Sequence, residues 1–182
     1  MVLPGIITIR AEILIEYLYD IIESLCKHGF NKIVLVNGHR IVNIAWMQIT
    51  AERAQRLLGA RIVIFDPAYM SKEIASELEF GPIGHAEEIE TSQMLYKHPE
   101  LVHLEDALDN PIIPQELYSV DPKYRGDTLC YVPSTRSHML DSVNKAGGTT
   151  GEPTKASSEK GEAYHHHLVS NLVRVIEQLS QV

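Results

Sequence analysis

Twice within the first 66 residues a helical pattern, a closing glycine and a short apolar run follow one another in that order. In the first, Ile13, Leu14, Tyr17, Leu18, Ile21, Ile22 and Leu25 fall on one helical face. Gly29 stops that helix, and Lys32-Ile33-Val34-Leu35-Val36 follows as a strand. In the second, a helical pattern over roughly residues 42–58 is closed by Gly59, and Arg61-Ile62-Val63-Ile64-Phe65 runs to Asp66-Pro67 as the next strand. A helix between two strands is a crossover, so the strands are expected to pair in parallel. The absence of polar alternation predicts strands buried on both faces.

Beyond Asp66 the pattern loosens. A helix is expected after His85, through Ile89, Met94 and Leu95, and residues 99–128, rich in Pro, Asp and Asn, read as irregular connection. Leu129-Cys130-Tyr131-Val132 reads as a short strand, residues 144–155 as a Gly/Thr/Pro loop, and Ser157 to Leu179 as a last helix. The order predicts an α/β chain with a largely parallel sheet, whose ligands bind beyond the carboxyl ends of the strands. No internal repeat, linker or low-complexity tract interrupts residues 1–182, so one domain is expected.

Composition removes several classes of function. The formal charge is −8 with no basic run, which speaks against nucleic acid and against anionic membrane surfaces as partners. No apolar stretch is long enough to span a bilayer. The opening Met1-Val2-Leu3-Pro4-Gly5 has neither a basic nor a long apolar region of the signal-peptide kind. Two cysteines, Cys26 and Cys130, make no disulfide framework, and a cytoplasmic chain is expected.

Two segments carry residue types suited to chemistry. In Val36-Asn37-Gly38-His39 an imidazole follows directly on a strand, where a rigid backbone can aim it at a ligand such as zinc, iron or manganese. Gly38 would let the chain turn sharply there. The plain alternative is a turn histidine bonded to backbone. The second segment, Gly84-His85-Ala86-Glu87-Glu88-Ile89-Glu90-Thr91-Ser92, crowds one His and three carboxylates at a helix start. Capping and the helix dipole favour acids there anyway. Functionally, a carboxylate can ligate a cation while the His moves a proton. Glu87 and Glu90 share a face, and Glu88 is turned about 100° from Glu87.

These segments resemble the creatininase (creatinine amidohydrolase) family. Its members carry a strand followed by Asn-Gly-His-Gly-Gly-Asn and, later, His-Ala-Gly-Glu-x-Glu-Thr-Ser. This chain has Asn37-Gly38-His39, then His85-Ala86-Glu87-Glu88-Ile89-Glu90-Thr91-Ser92. It also has the late loop Gly148-Thr149-Thr150-Gly151-Glu152-Pro153-Thr154-Lys155-Ala156, ending in Glu159-Lys160-Gly161. Pro4-Gly5-Ile6-Ile7-Thr8-Ile9-Arg10 is similar to the family's Pro-Gly-Thr-Ile-Thr-Leu stretch.

The resemblance implies a three-layer α/β fold, with a mostly parallel sheet flanked by helices. It implies a metal-dependent hydrolase in which an activated water attacks the carbonyl of a small cyclic amide. A related possibility is a cyclic ketone such as a dehydro-inosose. His39 and Glu88 match metal-ligating positions, for a divalent zinc, manganese or iron. His85 matches a catalytic histidine, and Glu90 the second acid of that catalytic segment. Asn37, Gly38, Arg40 and Thr91 would shape the substrate pocket. A small-molecule substrate and a homo-oligomer are the implied partners.

The chain departs from the family at Arg40-Ile41-Val42, where Gly-Gly-Asn is usual, with Asn43 one place beyond the expected asparagine. Arg40 could aim its guanidinium at a substrate oxygen or stand solvated at a helix start. Glu87 replaces the motif glycine, either to add charge for a metal or as a surface acid without consequence. Family members also begin with a strand and loop bearing Glu-x-His and a later Asp, which this sequence lacks. The expectation is therefore an incomplete metal site and an unpaired edge at Lys32–Val36, or an inactive member acting only through association. Asp66 is an extra ligand candidate by position only, and His28, His98, His103 and His138 read as surface or turn residues. His165, His166 and His167 cannot share one helical face.

Overall fold

The computed structural model describes residues 5–111 and 135–181, so the strand expected at Leu129–Val132 lies outside the described residues. The elements are α1 (Ala11–Lys27), β1 (Lys32–Val36), α2 (Arg40–Leu58), β2 (Arg61–Phe65), α3 (Pro67–Met70), α4 (Lys72–Glu77), α5 (Glu88–Lys97), α6 (Arg136–Ala146) and α7 (Ser158–Ser180). The chain divides into two compact units, one of Ser71–His167 with the opening residues up to Ile6, the other of Ile7–Met70 with the turns of α7 from Leu168 onward.

In the unit around β1 and β2 the repeated sequence pattern becomes a parallel pair, in register from Lys32↔Arg61 to Val36↔Phe65. α1 ends as its sequence predicts. Gly29 adopts φ +90° and donates to Cys26 O at 3.0 Å, while Phe30 N–H reaches Leu25 O at 3.0 Å. These two bonds satisfy carbonyls that the helix end would leave bare. Tyr19 and Ile22 of α1, Ala51 and Ala54 of α2, Ile33, Ala60 and Ile62 form the core. Each fully buried isoleucine contributes about 1.5–3 kcal/mol.

Burial on both faces, expected from the apolar runs, holds only in part. Ile33 and Leu35, with Ile62 and Ile64, face the helical core. On the opposite face Phe65 is buried but Val36 is 55% exposed. The sheet has two strands among the described residues, so neither is enclosed as a central strand of a wide parallel sheet would be.

The other unit is helical, with two isolated antiparallel bridges, His85↔Thr150 and Asn110↔Gly151. Phe80 packs edge-on against Tyr164, centroids 5.8 Å apart, and Tyr164 Oη donates to Ser71 Oγ at 2.8 Å. Helix α6 was not anticipated. Its first turn, Arg136–Leu140, is exposed and shows no apolar stripe. Its ends are nonetheless marked, by Thr135 Oγ1 accepting from His138 N–H at 3.3 Å and by Gly147 at φ +62°. No described helix is long and apolar enough to cross a membrane.

Candidate functional site

In the unit of β1 and β2, Asn37 continues the ladder by donating its N–H to Phe65 O at 2.9 Å. Its side-chain Oδ1 accepts His39 N–H at 3.0 Å, so the turn is built by the asparagine side chain. Gly38 has no positive φ and open space where a Cβ would stand. The sharp turn assigned to that glycine is therefore made by its neighbour. His39 is exposed and caps α2 with extended backbone, φ −149°. Arg40 begins α2.

Asp66 occupies the matching position after β2, one residue beyond the Val36↔Phe65 pair. It is 6% exposed. Oδ1 accepts Ala68 N–H at 3.1 Å, while Oδ2 is buried without a hydrogen-bond partner among the described residues.

In the other unit the acidic segment is folded tightly on itself. His85 is held through its backbone: its N–H donates to Thr150 O at 3.1 Å and Thr150 N–H returns to His85 O at 2.9 Å. Its ring is left exposed. Glu87 is the N-cap of α5, with Oε2 accepting Ile89 N–H at 2.7 Å and Oε1 accepting Glu90 N–H at 3.2 Å. Glu90 reaches back to Ala86 N–H at 2.6 Å, which closes a reciprocal box. Glu87 is neither a surface acid nor an open ligand. It is 2% exposed, and burial pushes its carboxyl up to about 7 against the pull of the two backbone donors, with Glu90 and Glu88 adding to the rise.

Glu88 is equally buried. Oε1 lies 2.6 Å from Lys160 Nζ, and Oε2 accepts Gly81 N–H at 3.1 Å. Lys160 also sits over the Phe80 ring, 5.1 Å from its centroid. Sequence reasoning gave Lys160 no role. A signal existed: a cation between Glu159 and Glu162 stands in the first turn of α7, where the helix dipole disfavours it. Such a lysine needs a carboxylate from elsewhere.

The late loop is locked to this segment by glycines. A Cβ on Gly84 would lie 1.6 Å from Thr150 O, and one on Gly161 would lie 1.9 Å from Ser92 O. Ser92 Oγ accepts Ser157 N–H at 3.2 Å, fixing the start of α7. The segments at 84–92, 148–151 and 157–161, far apart in sequence, thus form one constellation. Beside it lies a cleft of about 450 Å³ lined by Ala86, Glu90, Thr91, Leu104, Asp106 and Thr149, a volume suited to a small molecule. Of the residues assigned from sequence in this unit, Glu90 and Thr91 line the cleft.

A divalent cation needs carboxylate oxygens or imidazole nitrogens with a lone pair to spare. Asp66 Oδ2 meets that requirement and the exposed His39 is compatible with it. Glu88 is more heavily engaged, with Lys160 on Oε1 and Gly81 N–H on Oε2, one partner for each oxygen. Among the described residues one cluster, His103, Glu105 and Asp106, brings three donor atoms within 4.8 Å, all exposed. His103 Nδ1 lies 3.2 Å from Glu105 Oε1, an ordinary exposed pair.

A parallel β–α–β unit with a histidine-bearing turn at its carboxyl edge, and a His-Ala-Glu-Glu capping segment in the other unit, make this an α/β protein. The family profile described as creatininase, creatinine amidohydrolase, matches residues 1–176, and the chain belongs to that family. It is 23% identical over 98% of its length to a 3-dehydro-scyllo-inosose hydrolase of Thermotoga maritima, covering 60% of that protein. It is 26% identical over 96% of its length to the creatinine amidohydrolase of Pseudomonas putida, covering 66% of it. The chain thus spans less than two thirds of the length of either curated relative. A creatininase mutant structure of Zn-Zn type superposes with a TM-score of 0.71 at 25% identity, over 96% of this chain and 66% of that one. The α/β class and the family expected from the motifs are both borne out.

Proposed function

We propose that this chain is a metal-dependent hydrolase of small cyclic amides. The observation that carries this reading is the Asn37-Gly38-His39 turn at the carboxyl edge of the β1–β2 pair, in a chain whose residues 1–176 match the creatininase profile. A divalent ion bound here would polarise the substrate carbonyl and acidify a water. His39 and Glu88 are the proposed ligands, with zinc, manganese or iron as the ion. Asn37 holds the backbone of His39 and so fixes where the imidazole starts. His85 is proposed to carry the proton to the leaving nitrogen, from a backbone pinned to Thr150 that leaves its ring exposed. Glu90 ties down Ala86 beside it. Thr91, Gly38 and Arg40 are proposed substrate contacts. A homo-oligomeric, cytoplasmic enzyme completes the reading.

A second substrate class has a specific support. The Thermotoga maritima relative is a 3-dehydro-scyllo-inosose hydrolase, so a cyclic polyol ketone is the alternative ring.

The test is metal analysis of the purified protein with zinc and with manganese, followed by assay on creatinine and on 3-dehydro-scyllo-inosose. Stoichiometric metal that is lost in His39→Ala, with ring opening of either substrate, is the expected outcome. Metal uptake equal in wild type and His39→Ala removes His39 as a ligand. Uptake unchanged in Glu88→Gln removes Glu88 as a ligand. A metal-loaded protein inert to both rings sinks the hydrolase reading in favour of a member acting only through association.

A further inference from the structure

We infer that Asp66 is a divalent-cation ligand at the carboxyl edge of the β1–β2 pair, acting in the same unit as His39. This rests on the metal-dependent reading above and adds a ligand to it.

Three observations converge on Asp66. Its carboxylate is 6% exposed, yet Oδ2 has no hydrogen-bond partner among the described residues. A buried carboxyl oxygen without a hydrogen-bond partner is among the costlier features a fold can keep. The next residue, Pro67, has no N–H, and the first available backbone donor, Ala68, binds Oδ1.

The register then places the group. Val36 and Phe65 are paired, and Asn37 N–H extends the ladder to Phe65 O at 2.9 Å. Asn37 and Asp66 therefore leave their strands at the same level, and His39 follows two residues past it, its N–H held by Asn37 Oδ1. A carboxylate and an imidazole that follow the ends of adjacent parallel strands would offer an ion one oxygen and one nitrogen, a mixed donor set that suits zinc or manganese better than calcium or magnesium. The bond from Ala68 fixes the carboxylate through Oδ1, as bonds from surrounding groups orient metal-ligating carboxylates generally.

The experiment titrates zinc, and separately manganese, calorimetrically into the chelator-treated full chain as wild type, Asp66→Asn and His39→Ala. Asparagine keeps the volume and an oxygen for Ala68 N–H but removes the charge and the ligating Oδ2. Asp66→Asn is expected to weaken zinc binding at least tenfold and to abolish the metal-induced rise in melting temperature. Its metal-free melting temperature is expected to equal or exceed that of wild type, because the unsatisfied carboxyl oxygen has been replaced by an amide that can donate. Wild-type affinity in Asp66→Asn, alongside loss in His39→Ala, overturns the role of Asp66 and leaves the metal reading standing. A lower metal-free melting temperature with unchanged affinity assigns Asp66 a purely structural role and also overturns it. If the wild type takes up neither ion, this inference and the metal-dependent reading fall together.

Discussion

Lys160 closes a half-buried ion pair with Glu88, its Nζ lying 2.6 Å from Oε1 of a carboxylate that is 2% exposed. The pair joins α7 to the first turn of α5 across 72 residues of sequence. Removing one member strands the other charge in a poorly solvated place, which costs about 3–5 kcal/mol when both partners are buried. Lys160 is 31% exposed, and water reduces the penalty. Lys160→Met is expected to lower unfolding free energy by about 2–4 kcal/mol in urea denaturation. The double variant with Glu88→Gln is expected to recover part of that loss, and no recovery would show that the pair is not the cause.

Gly161→Ala tests the locking of α7 onto α5. Its Cβ would stand 1.9 Å from Ser92 O, a backbone atom that cannot move without shifting α5. A loss of about 3 kcal/mol or more is expected, beyond the range of ordinary overpacking. Gly38→Ala, where nothing lies within 4 Å of the added carbon, is expected to change stability by no more than about 0.5 kcal/mol.

Glu87→Gln reads the buried cap through pH. The folded carboxyl is raised to about 7, above its ordinary value of 4.5. The folded state therefore holds a proton that the unfolded state has lost between those values. The stability this group contributes is fully present below about pH 4.5 and is lost as pH rises through about 7. The stability of wild type relative to Glu87→Gln is expected to fall by up to about 3 kcal/mol across that window. A flat difference between pH 5 and 8 in metal-free protein would contradict the raised value.

His85→Asn separates chemistry from architecture. The bonds to Thr150 are made by the main chain of His85 and survive the substitution. Stability is expected to move by no more than about 0.5 kcal/mol, while ring-opening turnover falls by about 10²–10⁴. A variant that keeps full turnover would return the exposed ring to an ordinary surface role.

The sequence by itself determined the β–α–β unit and the family. Gly29 and Gly59 end helices and the two apolar runs form strands because these are local properties, read off periodicity and turn chemistry within five or six residues. Helix α6 escaped that reading because its exposed first turn offers no apolar stripe. Tertiary structure alone decided what each acid does. Three glutamates in four positions look interchangeable in sequence. Yet Glu87 caps α5, Glu88 meets a lysine 72 residues away, and Glu90 ties down Ala86 beside the cleft. The state of a carboxylate depends on which donors surround it and how much water remains. Those partners arrive from distant parts of the chain. The same reason left Asp66 a candidate by position only; that its Oδ2 is buried without a hydrogen-bond partner among the described residues is a property of the folded chain.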